Sequence, residues 1–164
     1  MPRQKIQLSE SMEDYMEVIL DLEETQKVAR TKDIAEKMGV QRGSVTGALK
    51  NLGEKGLINY QPYNFITLTK EGEKIAREVK RCHTVLTDFL FRVLRLDAQT
   101  ANDAACRMEH TIDKKSIDRL VQFIEFIDTC PRTGLDWVES FVDYLGTKKI
   151  DPQVCESCIE KLKV

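Results

Sequence analysis

The stretch from residue 28 to residue 69 constrains the fold more than any other part of the chain. Within it, the segment TKDIAEKM places apolar side chains at helical spacing, and Gly39-Val40 then supplies a turn. A second helix is predicted from about Gln41 to Glu54, with its valine and leucine side chains facing inward. Two short helices joined by a glycine-containing turn are typical of a helix-turn-helix.

A β-hairpin is predicted directly after these two helices. Ile58 and Tyr60 form one arm, Ile66 and Leu68 form the other, and the turn lies at Pro62–Asn64. A hairpin in this position is the wing of a winged helix.

The outward face of the second helix carries small hydrogen-bonding and cationic side chains, which suit phosphates and base edges. Gly43 and Gly47 would let this helix approach the duplex backbone closely. Residues 42–81 contain eight basic against four acidic side chains, a surplus that favours phosphate contacts. A winged helix that docks a protein is the alternative. The candidate DNA-binding residues are Thr31, Lys32, Gln41, Arg42, Ser44, Thr46 and Lys50.

The second half of the chain is predicted to be helical. Residues 70–96 form one long apolar-striped helix, Asp97 and residues 99–102 break it, and residues 117–127 belong to a further strongly apolar helix. The apolar surface exceeds what one small module can cover by itself, so a homodimer is the natural inference. A dimer would also present two recognition helices to a palindromic operator.

Between these helices, the stretch Asn102–Ile112 carries three metal-binding residue types. Cys106, Glu109 and His110 stand at i, i+3 and i+4, so in a helix they would share one face. A thiolate, a carboxylate and an imidazole form three arms of a transition-metal site. The alternative is a buried cysteine beside a surface Glu-His pair.

Other candidate ligands lie farther along the sequence. The predicted first helix, residues 9–24, holds Asp14 and Glu17 at i, i+3, where they could point into one cation site or simply form a solvated face. His83 lies beside the apolar stripe of the long helix, where a lone histidine is usually a hydrogen-bonded core residue.

The five cysteines indicate reduced thiols rather than disulfides, because the sequence shows no export signal. Cys155 and Cys158 have the spacing of half a zinc site, and Cys130 would be a third ligand. A structural zinc(II) at these three residues is one interpretation, and free thiols that pack the tail are the preferred one.

Charge and hydropathy narrow the class of protein. The net charge of −2 excludes a globally basic nucleic-acid binder but not a local basic surface. The longest apolar runs are far short of a membrane span. We expect a cytoplasmic protein with no membrane partner.

Taken together, the sequence resembles the diphtheria toxin repressor family of metal-dependent transcriptional regulators. The resemblance covers roughly residues 9–128. The segments that carry it are SMEDYMEVI, TKDIAEKMGVQRGSVTGALKNLGEKGLI, LTKEGEKIA, HTVLTDFL and CRMEHTID followed by SIDRL. The recognition helix SVTGALKNL and the Cys-x-x-Glu-His cluster are its most specific parts.

The resemblance implies a set of metal ligands by position. Asp14 and Glu17 match ligands of the manganese-responsive type, and His83 matches the histidine on the long helix. Cys106 follows the iron-responsive type, while Glu109 and His110 are common to both types.

Two positions depart from the iron-responsive type. Thr87 stands where a glutamate is expected and Asn102 where a histidine is expected, which puts a second iron-type site in doubt.

The resulting prediction is a mainly α protein with a small β-hairpin wing, built from a winged helix-turn-helix and a helical dimerisation domain. We assign residues 1–72 to DNA binding, 73–129 to metal binding and dimerisation, and 130–164 to a helical tail. The predicted function is non-enzymatic. The chain would act as a dimeric repressor of iron or manganese uptake genes, with iron(II) preferred as its cofactor and manganese(II) second. The alternatives are a metal-independent regulator that senses redox state through Cys106 and, from another class, a metal hydrolase.

Overall fold

The computed structural model describes residues 8–61, 64–129, 134–150 and Pro152, and only the backbone of residues 134–138. The cysteines of the proposed zinc site, Cys130, Cys155 and Cys158, lie outside the described residues, as does Pro62 of the predicted hairpin turn. The chain divides into two compact units within one helix, between Cys82 and His83. The sequence-based domain boundary at residue 72 stays a prediction.

The described residues form seven α-helices, one π-helical turn and two short strands. In chain order these elements are α1 (Glu10–Gln26), α2 (Thr31–Met38), α3 (Arg42–Glu54), β1 (Ile58–Asn59), β2 (Thr67–Leu68), α4 (Lys70–Asp88), the π-helical turn (Phe89–Val93), α5 (Ala98–Met108), α6 (Lys114–Thr129) and α7 (Gly134–Thr147).

The apolar faces of α1, α2 and α3 pack together in the core of the first unit. Ile34 and Ala35 are the buried residues of α2, and α2 ends at Gly39, whose φ of 66° is the left-handed conformation that favours glycine. The predicted helix-turn-helix is therefore confirmed. The buried side chains of α1 and α3 are Tyr15, Met16, Ile19, Leu20, Leu22, Val45, Leu49 and Leu52.

The predicted wing is present, but its strands are shorter than the sequence pattern suggested. Ile66, expected in the second arm, instead pairs with Ala29 through two backbone hydrogen bonds of 3.1 and 2.9 Å. The link between α1 and α2 thus supplies a partner that the local hairpin pattern does not contain. The paired residues of the hairpin are Ile58 with Leu68 and Asn59 with Thr67, in antiparallel register.

The first turn of α4 lies against the end of the helix-turn-helix. Thr69 Oγ1 accepts a hydrogen bond from the Gly72 N–H at 3.2 Å and lies 2.9 Å from the Gly56 carbonyl oxygen. A Cβ added at Gly72 would lie 2.0 Å from the Leu57 carbonyl oxygen. Only glycine therefore fits at position 72.

Carboxylates near the end of α1 are held by basic side chains of α2 and α4. Asp21 binds Lys37 and Lys80 at 2.8 and 2.7 Å, and Glu24 binds Lys80 at 2.7 Å and Arg77 at 3.2 Å. Burial opposes ionisation of Asp21, but the hydrogen bonds from the two lysines outweigh it and hold its pKa below the ordinary value. These ion pairs offset the unfavourable placement of acidic groups at a helix C-terminus.

The single helix predicted over residues 70–96 is interrupted within the second unit. After α4, the chain widens into the π-helical turn, in which the Leu94 N–H donates to the Phe89 carbonyl oxygen at 3.0 Å. The wider turn places Leu90 and Val93 in buried positions, and Arg95 then adopts a φ of 58°, which ends the helical run.

The predicted break at residues 99–102 is wrong, because α5 already begins at Ala98. Asp97 caps α5: its carboxylate accepts hydrogen bonds from the Thr100 N–H at 3.0 Å and from the Thr100 hydroxyl at 2.6 Å. Asp113 binds Ser116 in the same way, at 3.1 and 2.6 Å, just before α6. Both caps have the same sequence pattern, an aspartate followed three residues later by a threonine or a serine.

Residues of α6 face the π-helical turn. Phe123 contacts Phe89 edge to face, with ring centroids 6.4 Å apart, and Arg92 bridges Asp88 and Asp128. Phe123 and Phe126 remain 45% and 50% exposed, respectively, which is unusual for large apolar side chains. Within the parts of the chain that the structure describes, no helix is both long and apolar enough to cross a lipid bilayer.

Candidate metal centre and nucleic-acid interface

Three predicted ligands come together within the second unit. Each of His83, Cys106 and Glu109 offers one ligand atom, and these three atoms all lie within 4.8 Å of one another. The cluster joins α4 to the end of α5. It brings together residues that are separated by 26 positions in the sequence.

The local geometry of this cluster differs from the predicted continuous helix over Asn102–Ile112. α5 ends at Met108, Glu109 is its C-terminal cap, and the N–H groups of Thr111 and Ile112 both donate to the Met108 carbonyl oxygen. Glu109 still has a right-handed helical backbone and donates its N–H to the Ala105 carbonyl oxygen at 3.0 Å, so it shares a helix face with Cys106, whereas His110 lies in the turn that follows.

Glu109 is the buried member of the cluster, with a side chain that is 0% exposed. Its Oε2 lies 2.5 Å from His83 Nδ1, and its Oε1 lies 3.4 Å from His110 Nε2. A carboxylate is costly to bury unless charged or hydrogen-bonding groups face it. The two imidazoles provide those groups on opposite oxygens.

The other ring nitrogen of His83 faces α5. Its Nε2 lies 3.2 Å from the side-chain oxygen of Asn102. In the sequence, Asn102 is distinguished only as a departure from the iron-responsive pattern. The signal that was missed is its spacing of four residues from Cys106, which places both side chains on one face of α5.

The donor set of this cluster fits a divalent transition metal. Ligand bonds of about 2.0–2.3 Å in tetrahedral geometry separate the ligand atoms by about 3.3–3.8 Å, and the three donor atoms lie within 4.8 Å of one another. The 2.5 Å contact between His83 Nδ1 and Glu109 Oε2 would have to open to admit an ion bound to both atoms. A nitrogen, a sulfur and an oxygen donor together suit iron(II), cobalt(II) or zinc(II). His110 contacts Glu109 at the edge of this group.

The remaining predicted ligands belong to the first unit. Asp14 and Glu17 are both half-buried on α1, one turn apart. Their role as ligands stays a prediction.

The predicted DNA-binding side chains lie on and beside α3. Gln41 immediately precedes this helix, and Arg42, Ser44, Thr46 and Lys50 lie along it, all five exposed. The Thr46 hydroxyl donates to the Arg42 carbonyl oxygen at 2.9 Å. On α2, Lys32 is exposed and Thr31 is half-buried. Their contact with DNA stays a prediction.

The two glycines of α3 leave open space on its exposed surface. A Cβ added at Gly43 or at Gly47 would meet nothing within 4 Å. Packing within the chain therefore does not explain why glycine occupies either position.

The basic surplus of residues 42–81 is smaller in the folded chain than its composition indicates. Arg77 and Lys80 bind the carboxylates of α1 and α4, and Arg81 binds Glu78 at 3.2 Å. A basic side chain that the sequence interpretation omitted lies near the wing: the Arg30 guanidinium sits 5.2 Å from the centre of the Phe65 ring.

Comparison with known proteins places the chain in a family. Residues 7–65 match the family described as "Iron dependent repressor, N-terminal DNA binding domain", and residues 69–138 match "Iron dependent repressor, metal binding and dimerisation domain". The chain is 35% identical over 118 residues to the HTH-type transcriptional regulator MntR of Bacillus pumilus, covering 72% of this chain and 81% of that protein. The chain belongs to the iron-dependent repressor family.

Other relatives of this iron-dependent repressor family member are also regulators. It is 34% identical over 119 residues to an HTH-type transcriptional regulator of Methanocaldococcus jannaschii, covering 72% of this chain and 95% of that protein. It is 35% identical over 116 residues to the transcriptional regulator MntR of Escherichia coli O157:H7, covering 71% and 74%. The predicted resemblance is confirmed, as is the prediction of a transcriptional regulator rather than an enzyme.

Solved structures of repressor-family proteins share the fold. The manganese regulator SloR matches with a TM-score of 0.63 and 30% identity over 74% of this chain, and the metal-dependent regulator MtsR with 0.65 and 29% over 74%. This chain spans 56% of the length of each of those two proteins. The match to Thermoplasma acidophilum IdeR, at 23% identity and a TM-score of 0.63, supports the fold alone.

Proposed function

We propose that this chain represses transcription by binding a palindromic DNA operator as a homodimer when it is loaded with a divalent metal. The observation that carries the proposal is the His83, Cys106 and Glu109 cluster, whose donor atoms lie within 4.8 Å of one another. The same chain contains a DNA-binding winged helix, and metal bound at the cluster would control its affinity for DNA. The regulated genes would be those for uptake of iron or manganese, so that repression follows metal sufficiency.

The proposed ligand set extends beyond the three clustered side chains. His110 is included because its ring contacts the Glu109 carboxylate. Asp14 and Glu17 are included on their residue type and on the family resemblance, not on a distance. A bound divalent cation supplies positive charge that offsets these carboxylates, which otherwise repel one another.

The proposed metal is iron(II), with manganese(II) second. The Cys106 thiolate favours the softer ions, whereas the carboxylates accept harder ones. The relatives support both metals, since the family is that of iron-dependent repressors and SloR is a manganese regulator. Cys106 is therefore the residue on which we base the choice.

The DNA-binding part of the proposal is supported by α3. Its exposed face presents Arg42, Ser44, Thr46 and Lys50, which suit phosphates and base edges. The homodimer is supported by the dimerisation domain matched at residues 69–138 and by the exposed phenylalanines of α6. We place the protein in the cytoplasm, where such a regulator meets both the metal pool and DNA.

The test is anaerobic selection of DNA by the purified protein from a pool of random duplexes, with iron(II), manganese(II), zinc(II) or a chelator present. Wild type should enrich a palindromic sequence with metal and none with the chelator. Cys106→Ala should lose the enrichment with iron(II), whereas Cys82→Ala, which removes a buried thiol outside the cluster, should retain it. Enrichment that survives chelation and changes with peroxide would instead support a redox-sensing regulator.

A further inference from the structure

Asn102 contacts the imidazole ring of His83. The Asn102 side-chain oxygen lies 3.2 Å from Nε2, while Nδ1 of the same ring lies 2.5 Å from the Glu109 carboxylate. The ring is therefore held between α5 and the buried carboxylate by its two nitrogens.

We propose that Asn102 is a positioning residue of the metal centre, which fixes His83 in the form that offers Nδ1 to the metal. The inference rests on the proposed function, since it concerns the same cluster. It goes further by naming the ligand atom and the residue that selects it.

The selection follows from hydrogen-bond chemistry. An amide oxygen only accepts hydrogen bonds, so the nitrogen that faces it must carry the hydrogen. Nδ1 also faces an acceptor, the Glu109 carboxylate, until a metal takes the place of its hydrogen. The metal-bound ring is then neutral, and its one hydrogen stays on Nε2, where the Asn102 oxygen accepts it. Nδ1 is the ring nitrogen on the side of the buried Glu109 carboxylate.

The fold makes Asn102 suitable for this task. Asn102 and Cys106 are four residues apart on α5, so one helix face presents both a ligand and the acceptor that orients a second ligand. The Asp97 cap fixes where α5 begins. Because Asn102 contacts the ring nitrogen that is turned away from Glu109, it orients the imidazole and does not occupy a ligand position.

The experiment records proton–nitrogen correlation spectra of protein with isotope-labelled histidine, loaded with cadmium(II). The chain has two histidines, so the His83 ring signals are assigned by comparison with His110→Gln. In wild type, Nδ1 of His83 should be bound to cadmium and Nε2 should carry a hydrogen. Cadmium affinity is measured in parallel by competition with a chromogenic chelator.

Three variants separate positioning from a general structural effect. Asn102→Ala should weaken cadmium binding by about 10–100-fold, the usual effect of losing a hydrogen-bond partner of a ligand, and should give a mixture of Nδ1- and Nε2-bound signals. Asn102→Asp keeps an acceptor oxygen and should restore the wild-type spectrum. Asp103→Ala, the exposed neighbour on α5, should change neither readout.

Two results would overturn the inference. One is a wild-type spectrum in which cadmium binds Nε2 of His83, or in which Nε2 carries no hydrogen. This result would come from the wild-type protein alone. The other is an Asn102→Ala protein with wild-type affinity and a single Nδ1-bound signal. Failure of the proposed function would look different, because wild type would then bind no cadmium or would bind DNA equally well with a chelator.

Discussion

Glu109 is a carboxylate that the fold buries completely, between two imidazoles. Such burial is costly for an ionised group, and the facing nitrogens of His83 and His110 offset part of the cost. A bound cation would complete the charge balance. We therefore expect this side chain to contribute strongly to metal affinity.

Replacing Glu109 with glutamine should weaken zinc(II) binding by more than about 100-fold, beyond the range for residues that only orient ligands. The amide keeps the shape of the side chain but removes its negative charge. Competition with a chromogenic chelator measures the change, and Glu125→Gln on the exposed surface of α6 serves as the control. Equal affinities of Glu109→Gln and wild type would remove Glu109 from the site.

Replacing Gly72 with alanine should lower the free energy of unfolding by about 3 kcal/mol, the upper range for overpacking. The added methyl group would lie 2.0 Å from the Leu57 carbonyl oxygen, which belongs to the backbone and cannot move aside cheaply. Urea unfolding followed by circular dichroism measures the loss. A variant as stable as wild type would show that α4 does not approach Leu57 so closely.

Individual ligands were predictable from the sequence because residue type and short spacing carry the signal. His83, Cys106 and Glu109 were all named from the sequence or from the family resemblance, and the structure brings them together. Asn102 was not recognised as a partner of His83, because the contact joins residues on different helices. Likewise, the ion pairs of Lys80 with α1 follow from packing that no local pattern encodes.

Helix α3 has two glycines on its exposed surface whose presence costs helix stability. Gly43→Ala and Gly47→Ala should each raise the free energy of unfolding by about 0.5–1 kcal/mol, because alanine is the better helix former and meets no atom within 4 Å. If these positions approach the DNA backbone, the same variants should bind the selected duplex at least about tenfold more weakly, a loss of about 1.4 kcal/mol. Gly53→Ala, on the same helix beside Tyr60, is the control and should leave DNA binding unchanged. Stabilised variants with unchanged DNA affinity would show that neither glycine is kept for DNA contact.

Helix α6 begins after a capping aspartate whose charge matters for stability. Hydrogen bonds from the Ser116 side chain and N–H hold the pKa of Asp113 below its usual 3.8. Because the pKa of Asp113 is lower in the folded chain than in the unfolded chain, its ionised carboxylate stabilises the fold above pH 3.8. This stabilisation is lost as the pH falls through the lower, folded-state pKa. Asp113→Ala should therefore lower the melting temperature at pH 7 but much less near pH 2. A difference from wild type that stays constant across this range would contradict the capping role.

Helices were easier to predict than their ends. The apolar spacing of α1, α3 and α4 identified these elements, since each buries one continuous stripe. The π-helical turn at Phe89–Val93 could not be predicted in this way, because a single wider turn shifts the pattern without interrupting it. The start of α5 differs from the prediction, because Asp97 and residues 99–102 were predicted to break the helix, whereas the Asp97 side chain caps α5.

Dimerisation of the whole molecule should depend on the exposed apolar face of α6. Phe126→Glu introduces a charge on that face and should convert a dimer into a monomer in sedimentation equilibrium. Phe65→Glu, which changes a similarly exposed phenylalanine in the wing, should remain dimeric. A Phe126→Glu protein that stays dimeric would place the subunit interface elsewhere.

The coupling of metal to DNA is the central claim, and thermodynamic linkage provides its most direct test. If metal raises DNA affinity by some factor, the same DNA must raise metal affinity by that factor, typically about 5–150-fold. The measurement is the dissociation constant of iron(II), taken anaerobically with and without a saturating concentration of the selected duplex. We predict that the duplex tightens iron(II) binding by the same factor by which iron(II) tightens duplex binding, and that Cys106→Ala abolishes both effects. An iron(II) dissociation constant that is unchanged by the duplex would contradict the proposed switch.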